Sequence, residues 1–471
     1  MRPGYRTSRR TALQAVGAAG VAAFWGGAAF GGASLTAEEP PPQPSELRRE
    51  IYAKVWSTPL IDTHEHLCDE HERLPPDGAF RNQDDWTLVL SGYLGYDLLT
   101  AGMPRDAHQT FYSQGPTPLE KWKALEPYWP AVKHTGYGQA ARISLRQLYG
   151  VHDLNADTVA QVQAGYEQVR QPGFYHRVLR DLSGIESCQV NSLRSGFHES
   201  KMPQLLMQDI SIVGMYAGPN LEGFGKPTGI TATELADWHR VIDWWFDKYG
   251  AQAVAVKSQD AYRRDIDYQP TPAEQVAETF KKRARQEPVD PAQQKALEDH
   301  LFWYAVEKAT AHQLPVKLHT GYYAGNNNMP LSRLIHNAGS ACALCRHAPN
   351  TPFVFMHICY PYYEELIAVA KHWTNAFVDM CWSWIINPVA AKDFLKKYLV
   401  TAPANKLLTF GGDYVYVEQV LGHAVIARQG IALALCELVE EGWLGRDDAL
   451  ELVDPIMHGN ARRIFRLENN E

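Results

Sequence analysis

Two histidines one residue apart, His64 and His66, follow the short apolar run Pro59-Leu60-Ile61. On a β-strand, residues i and i+2 project to the same face, so these imidazoles can converge on one point. Imidazole is the commonest side-chain metal ligand near neutral pH. An H-x-H pair alone fits equally well in a loop, or as one core and one surface histidine. Further polar residues, however, end later apolar runs. Lys257 closes Val254-Ala255-Val256, and His319 closes Val316-Lys317-Leu318. His357 follows Phe353–Met356, Asp379 ends Phe377-Val378, and Asp413 follows Leu408–Gly412. Such placements are costly unless the polar group is paired or ligated. Histidines and a carboxylate with an open position fit Zn²⁺, and Mn²⁺ or Fe²⁺ are compatible.

The apolar runs that carry these residues are expected strands. They are Pro59–His66, Ser187–Leu193, Leu205–Ala217, Ala253–Ser258, Pro315–Thr320, Phe353–Cys359, Ala376–Cys381 and Leu407–Asp413. Helix-length segments lie between the later ones: Ala232–Tyr249, Pro291–His312, Leu331–Arg346, Tyr362–His372 and Val389–Tyr398. Strand–helix alternation of this kind implies parallel βαβ units, and eight of them imply an α/β fold of the (β/α)8 TIM-barrel type. The gap after the first strand is too long for a barrel connection. Residues 70–180 are expected to form a helical insertion, with helices over Leu119–Tyr128, Gly138–Tyr149 and Asp157–Arg170. A smaller polar insertion, Asp260–Pro291, follows the fourth strand. Both are expected at the C-terminal mouth of the barrel, where loops build active sites. An amphipathic helix over Val415–Glu441, a segment Arg446–Met457 and a short helix packed under the barrel close the chain. No run within the expected mature domain is read as a membrane span.

The first 37 residues read as an export signal rather than as part of the fold. Arg9-Arg10 precedes an Ala/Gly-rich run from Ala15 to Ala33, and no Asp or Glu occurs before Glu38. The pattern is that of a twin-arginine signal and implies a periplasmic protein. Residues 38–50, with four prolines near their start, read as a linker, and the barrel domain is expected over 51–471. The chain of 471 residues is 45% hydrophobic and 21% charged, a composition suited to a soluble globular protein. A formal charge of −8 gives no basis for binding nucleic acid or an anionic membrane. The seven cysteines are scattered. Cys342 and Cys345 form one C-x-x-C with no second pair, so a local disulfide or buried thiols are expected rather than a zinc knuckle.

The set of H-x-H on strand one, Lys on four, His on five and six and Asp on eight resembles the amidohydrolase superfamily. Phe410-Gly-Gly-Asp-Tyr414 and Gly459-Asn-Ala-Arg-Arg-Ile-Phe465 resemble its amidohydrolase-related branch, which includes uronate isomerases and decarboxylases. The resemblance spans about residues 59–467. It implies a distorted TIM barrel with His64, His66, His319, His357 and Asp413 around one or two divalent ions, most simply zinc. In two-metal relatives the strand-four lysine is carboxylated and bridges the ions, which would make Lys257 a ligand. In single-metal relatives it need not touch metal, and Lys257 could pair with a substrate carboxylate or with Asp413.

The expected activity is metal-dependent hydrolysis of a C–N or C–O bond, in an amide, lactone or imine of a small anionic substrate. Decarboxylation or uronate-type isomerisation on the same scaffold is the alternative, and a catalytically dead metal-binding protein is a third reading. In the hydrolytic reading Asp413 moves the proton, and His357 stabilises the oxyanion or binds a second metal. Arg263 or Arg264 would pair with a substrate carboxylate, because a guanidinium fork matches that group. Tyr322 or Tyr323 would orient the substrate, and Trp382 and Trp384 could wall the pocket or pack in the core. Glu65, on the opposite strand face, is expected to be structural. The partner expected is a small carboxylate-bearing molecule, with self-association left open.

Overall fold

The computed structural model describes residues 45–74, 85–218, 220–325 and 329–467. The expected export signal at 1–37 lies outside these residues, as does the expected linker up to residue 44. The unit that carries the barrel begins at Ile51.

Eight parallel strands follow one another in chain order around a single sheet. They are β1 (Leu60–Glu65), β2 (Ile185–Val190), β3 (Leu206–Ser211) and β4 (Ala253–Ser258). The series continues with β5 (Val316–His319), β6 (Phe353–Met356), β7 (Ala376–Asp379) and β8 (Leu407–Leu408). Each overlaps one expected run, so the distorted (β/α)8 barrel is the observed fold. Apart from β4, which matches its run of Ala253–Ser258, the strands are shorter than the apolar runs. The third run turns into a short helix, Val213–Tyr216, once its ladder with β4 ends. The eighth keeps only two ladder residues, because the chain beyond Leu408 bonds to β1 irregularly. Thr63 N donates to Phe410 O at 3.1 Å, Asp413 N to His64 O at 2.9 Å, and His66 N to Tyr414 O at 2.9 Å. Those three bonds bring the last strand's extension against the first and carry Asp413 to the two histidines.

The floor of the barrel is apolar. Ile61, Ala255, Val354 and Leu408, from β1, β4, β6 and β8, pack with Ala461, Ile464 and Phe465 of the final helix, Asn460–Phe465. Asn460 anchors that helix by donating to the carbonyls of Ala404 (2.7 Å) and Leu407 (2.8 Å).

Helices fill the stretch between β1 and β2, including Tyr93–Thr100, Pro118–Leu125, Gly136–Tyr149 and Val159–Val169. The segment after β4 carries a short turn at Asp260–Tyr262 and a helix at Ala273–Ala284. One expected single helix, Leu331–Arg346, is broken in two, with Leu331–Leu334 preceding Asn337–His347. The expected helix Val389–Tyr398 is observed whole within Pro388–Leu399, with a separate short helix, Ser383–Ile386, before it. Asn387 caps the longer helix and Pro388 starts it. The long helix Val417–Glu440 departs from the amphipathic expectation, because most of its residues are buried. By length and composition alone it would pass for a membrane span, and the sequence reading overlooked it. Its apolar surface is instead used inside the fold, largely against Gly136–Tyr149 and Pro388–Leu399. All seven cysteines are free thiols, with Cys345 buried and Cys342 partly so, which leaves the local disulfide unformed.

Candidate metal centre

Three ligand-type side chains meet where β1 and the extension of β8 touch. His64 Nε2 lies 3.0 Å from Asp413 Oδ1, and His66 Nε2 lies 3.2 Å from the same oxygen. Donor atoms at such separations can share one cation, given metal–ligand bonds of about 2.0–2.2 Å for His and carboxylate. His66 Nδ1 donates to Asn191 O at 2.7 Å, which leaves its Nε2 lone pair facing Asp413. His64 is fully buried, and neither of its ring nitrogens has a hydrogen bond of good geometry. A ring nitrogen buried without a hydrogen bond is expensive unless an absent group satisfies it. The residues therefore fit a divalent ion.

The other two histidines stand alongside. The His357 and His319 rings are 4.4 Å apart, and His357 is 6.3 Å from His64. His357 Nδ1 donates to Cys381 O at 3.1 Å, so Nε2 carries its lone pair and has no partner. His319 Nε2 donates to Tyr322 O at 2.9 Å, which makes Nδ1 its available nitrogen. Burial pushes His357 down to about 4, although nearby Asp413 opposes the shift. Burial, together with the charge of Lys257, also holds His64 and His319 well below the ordinary histidine range. Neutral imidazoles are the form that ligates metal. Asp413 remains a carboxylate. Burial alone would raise it, but the His64 and His66 rings against its oxygens draw it well below the usual range.

Lys257 is buried at the end of β4, and burial pushes it down to about 8 while Asp413 holds it up. It lines a cavity of about 350 Å³ with His66, His319 and Asp413. Tyr93, Tyr96 and Tyr262 also line it, with Tyr414, Tyr416 and Leu193. These residues come from the segments after β1, β2, β4, β5 and β8, which is how a barrel mouth is built.

The two arginines expected to bind substrate do not line this cavity. Arg263 makes a fork to Asp260 through Nε and Nη2, both at 2.9 Å, and reaches Glu298 at 2.6 Å. Arg264 pairs with Asp299 at 2.6 Å and Glu298 at 3.2 Å. Their charge is taken up in fastening the segment after β4 to helix Pro291–Ala311. Tyr322 offers its backbone carbonyl to His319, while its half-buried ring leans on Trp382 at 5.9 Å. Tyr323 is buried, stacked on Tyr262 at 4.8 Å and bonded to Arg333. Trp382 packs against His357 at 5.4 Å and Tyr93 at 4.7 Å, so it walls the site. Trp384 donates to Thr409 O at 2.8 Å and belongs to the core.

Beneath the ligands lies a buried polar layer that sequence reasoning largely passed over. Lys317 Nζ sits 2.6 Å from Asp209 and donates to Thr63 O and Gln189 Oε1 at 2.8 and 2.9 Å. The i, i+2 rule that paired His64 with His66 would have placed Lys317 on the same face as His319. Asp62 Oδ1 accepts from the amides of His64 and Gly412 at 3.1 and 3.2 Å. Glu65 accepts from Tyr414 N at 2.6 Å, and Asp379 from Thr63 Oγ1 and Cys381 N at 2.7 and 2.9 Å. Burial pushes Asp62 up to about 6 and Asp379 to about 7. These carboxyls hold the loop backbones that aim the ligands. Several of those loops are strained: His357, Trp382 and Asp413 have φ of +62°, +64° and +66°. Non-glycine residues in that region are uncommon and cluster at functional sites.

The sequence profile of the amidohydrolase family matches residues 250–467, from β4 to the end of the barrel. Protein fluG of Emericella nidulans is 25% identical over 225 residues, which are 45% of this chain and 26% of that protein. The chain thus spans about a quarter of the length of this curated relative. The fold is similar to that of a uronate isomerase from Thermotoga maritima, at a TM-score of 0.72 and 13% identity over 90% of this chain and 98% of the other. A glucuronate isomerase from Caulobacter crescentus matches at 0.72 and 15% identity, over 92% and 96%. A protein described as a metal-dependent hydrolase, from Lactobacillus casei, matches at 0.60 and 16% identity, over 88% and 97%. At these identities the likeness is one of fold.

Proposed function

We propose that the chain is a member of the amidohydrolase superfamily and a metal-dependent hydrolase acting on a C–N or C–O bond of a small molecule. One observation carries the reading: two imidazoles converge on a carboxylate, with His64 Nδ1 and His357 Nε2 buried and without hydrogen-bond partners, at the mouth of a (β/α)8 barrel. His64, His66 and Asp413 would hold the ion, with His319 and His357 within reach of the same space. Zinc suits this donor set. The ion, when bound, supplies Lewis acidity, polarising a carbonyl and bringing the pKa of water toward neutrality.

The chain's own residues do the rest. Asp413, kept ionised at the site, accepts the proton released by the attacking water and returns it to the leaving nitrogen or oxygen. His357 Nε2 faces the site from a ring fixed by Cys381 O. Lys257 is the one Lys or Arg among the described residues lining the cavity, so it, rather than Arg263 or Arg264, would meet an anionic substrate group. The tyrosine-rich lining favours a compact substrate with apolar or aromatic surface.

Decarboxylation or isomerisation on the same scaffold is the second reading. Full-length likeness in fold to two isomerases of uronate type favours it. Water separates the two. Zinc-loaded protein is offered amides, lactones, imines and uronates in oxygen-labelled water. Hydrolysis places solvent oxygen in the acid formed from an amide or lactone, or in the carbonyl formed from an imine. Turnover that moves a carbonyl along an intact carbon chain or shortens the chain by loss of CO₂, with no solvent oxygen gained by bond cleavage, overturns the hydrolytic reading.

A further inference from the structure

Next to the His64–His66–Asp413 triad, His357, Cys381 and Asp413 bring one ligand atom each within 4.8 Å of one another, and all three residues are buried. We propose that Cys381 is a metal ligand, forming with His357 and Asp413 a second cation position that shares Asp413 with the first. The inference rests on the reading of the barrel mouth as a metal centre and adds a thiolate to it.

The loop after β7 is built in a way that serves this role. Cys381 N donates to Asp379 Oδ1 at 2.9 Å, and Trp382 N donates to Gly411 O at 2.8 Å. The Cys381 carbonyl accepts from His357 Nδ1, so the residue that offers the sulfur also fixes His357 with its Nε2 lone pair free. His357 Nε2 is buried and has no hydrogen-bond partner. This orphaned atom is a second, independent sign of a missing group, beside the thiol itself. Gly411 leaves room for the sulfur: a Cβ there would stand 2.7 Å from Cys381 Cβ and 2.9 Å from Sγ. Any larger residue at 411 would have to displace the Cys381 side chain.

A thiolate changes which ions the position accepts. Sulfur and imidazole favour Zn²⁺ and Co²⁺ over Mg²⁺, Ca²⁺ or Mn²⁺, which prefer oxygen. On binding, the S–H bond breaks, the proton leaves to solvent and the S–metal bond forms, with no change of oxidation state. A carboxylate shared between two cations is a common plan for paired metal sites, which lie about 3.5–4 Å apart.

Cobalt reads this out without any substrate. The full-length protein is stripped of metal and titrated with Co²⁺. The expected result is a near-ultraviolet thiolate-to-cobalt charge-transfer band and two ions bound per chain. Cys381→Ser is expected to lose the band and the second ion while keeping the first. X-ray absorption of the zinc-loaded native protein, which needs no variant, is expected to show a sulfur neighbour at about 2.3 Å. A native zinc spectrum with only nitrogen and oxygen neighbours overturns the proposal. So does a cobalt band that persists in Cys381→Ser, since the sulfur would then lie elsewhere. If cobalt and zinc bind but no sulfur is seen, the thiolate alone is wrong. If neither ion binds, the metal centre itself is wrong.

Discussion

At the scale of single residues, the site depends on keeping buried histidines neutral. His357 shows the consequence most clearly, because burial pushes it from an ordinary 6.5 down to about 4. In metal-free protein the unfolded chain therefore takes up this proton first as the pH falls. The contribution of His357 is fully present above about 6.5 and is lost progressively toward about 4. Asp62 and Asp379 act with the opposite sign, since burial raises them to about 6 and about 7 and the folded state binds their protons first. The net curve mixes both effects, so the useful quantity is a difference. Urea unfolding of metal-free wild type and His357→Gln, followed from pH 7 to pH 4, should show the variant gaining relative stability as pH falls. Parallel curves would contradict a buried neutral His357. The identity of this residue was legible in the sequence because it ended an apolar run. Its partner was not, since a backbone carbonyl such as that of Cys381 leaves no mark on composition. Arg263 and Arg264 illustrate the converse. Their chemistry suggested substrate, but Asp260, Glu298 and Asp299 surround them, and Glu298 and Asp299 come from a helix more than thirty residues away.

At the scale of elements, the helical stretch after β1 is tied to the helix after β8 by specific contacts rather than by general apolarity. Arg73 and Glu418 form a two-bond fork, Nη1–Oε2 and Nη2–Oε1 both at 2.7 Å, with both side chains fully buried. Removing one partner strands the other charge, so Arg73→Ala should cost about 3–5 kcal/mol in denaturant unfolding. Replacing both partners with apolar residues of similar volume should cost markedly less. Helices Val417–Glu440 and Gly136–Tyr149 also approach closely at Gly422, where a Cβ would lie 1.9 Å from Ala140 O. Gly422→Ala should therefore destabilise by about 1–3 kcal/mol through overpacking. Equal stability of all these variants would show that the two segments are not coupled in this way. The strand series was legible because parallel barrel strands are short apolar runs with polar ends. Helix Val417–Glu440 was misjudged as amphipathic. A helix buried between other helices needs no polar face, and only packing reveals that.

At the scale of the whole molecule, the barrel is a frame that brings residues 349 positions apart, His64 and Asp413, into contact. Closure is what achieves this. β8 has only two ladder residues, and the three backbone bonds between its extension and β1 set the geometry of the centre. The H-x-H motif announced half of the site. The other half could be anticipated only as a pattern of strand-end residues, because the irregular path from Leu408 to Asp413 is fixed by tertiary contacts. Cavity lining was the least legible part. Tyr93 and Tyr96 come from the long stretch after β1, and nothing in their local sequence distinguishes them from the other tyrosines of an aromatic-rich chain. The central claim, that His64, His66 and Asp413 hold a divalent ion, is most directly tested by metal analysis. Full-length protein is stripped with chelator, reloaded with zinc and passed through gel filtration, beside a His64→Ala/His66→Ala variant of unchanged circular dichroism. Wild type should retain at least one zinc per chain that the variant lacks. Equal zinc in the two proteins would contradict the account.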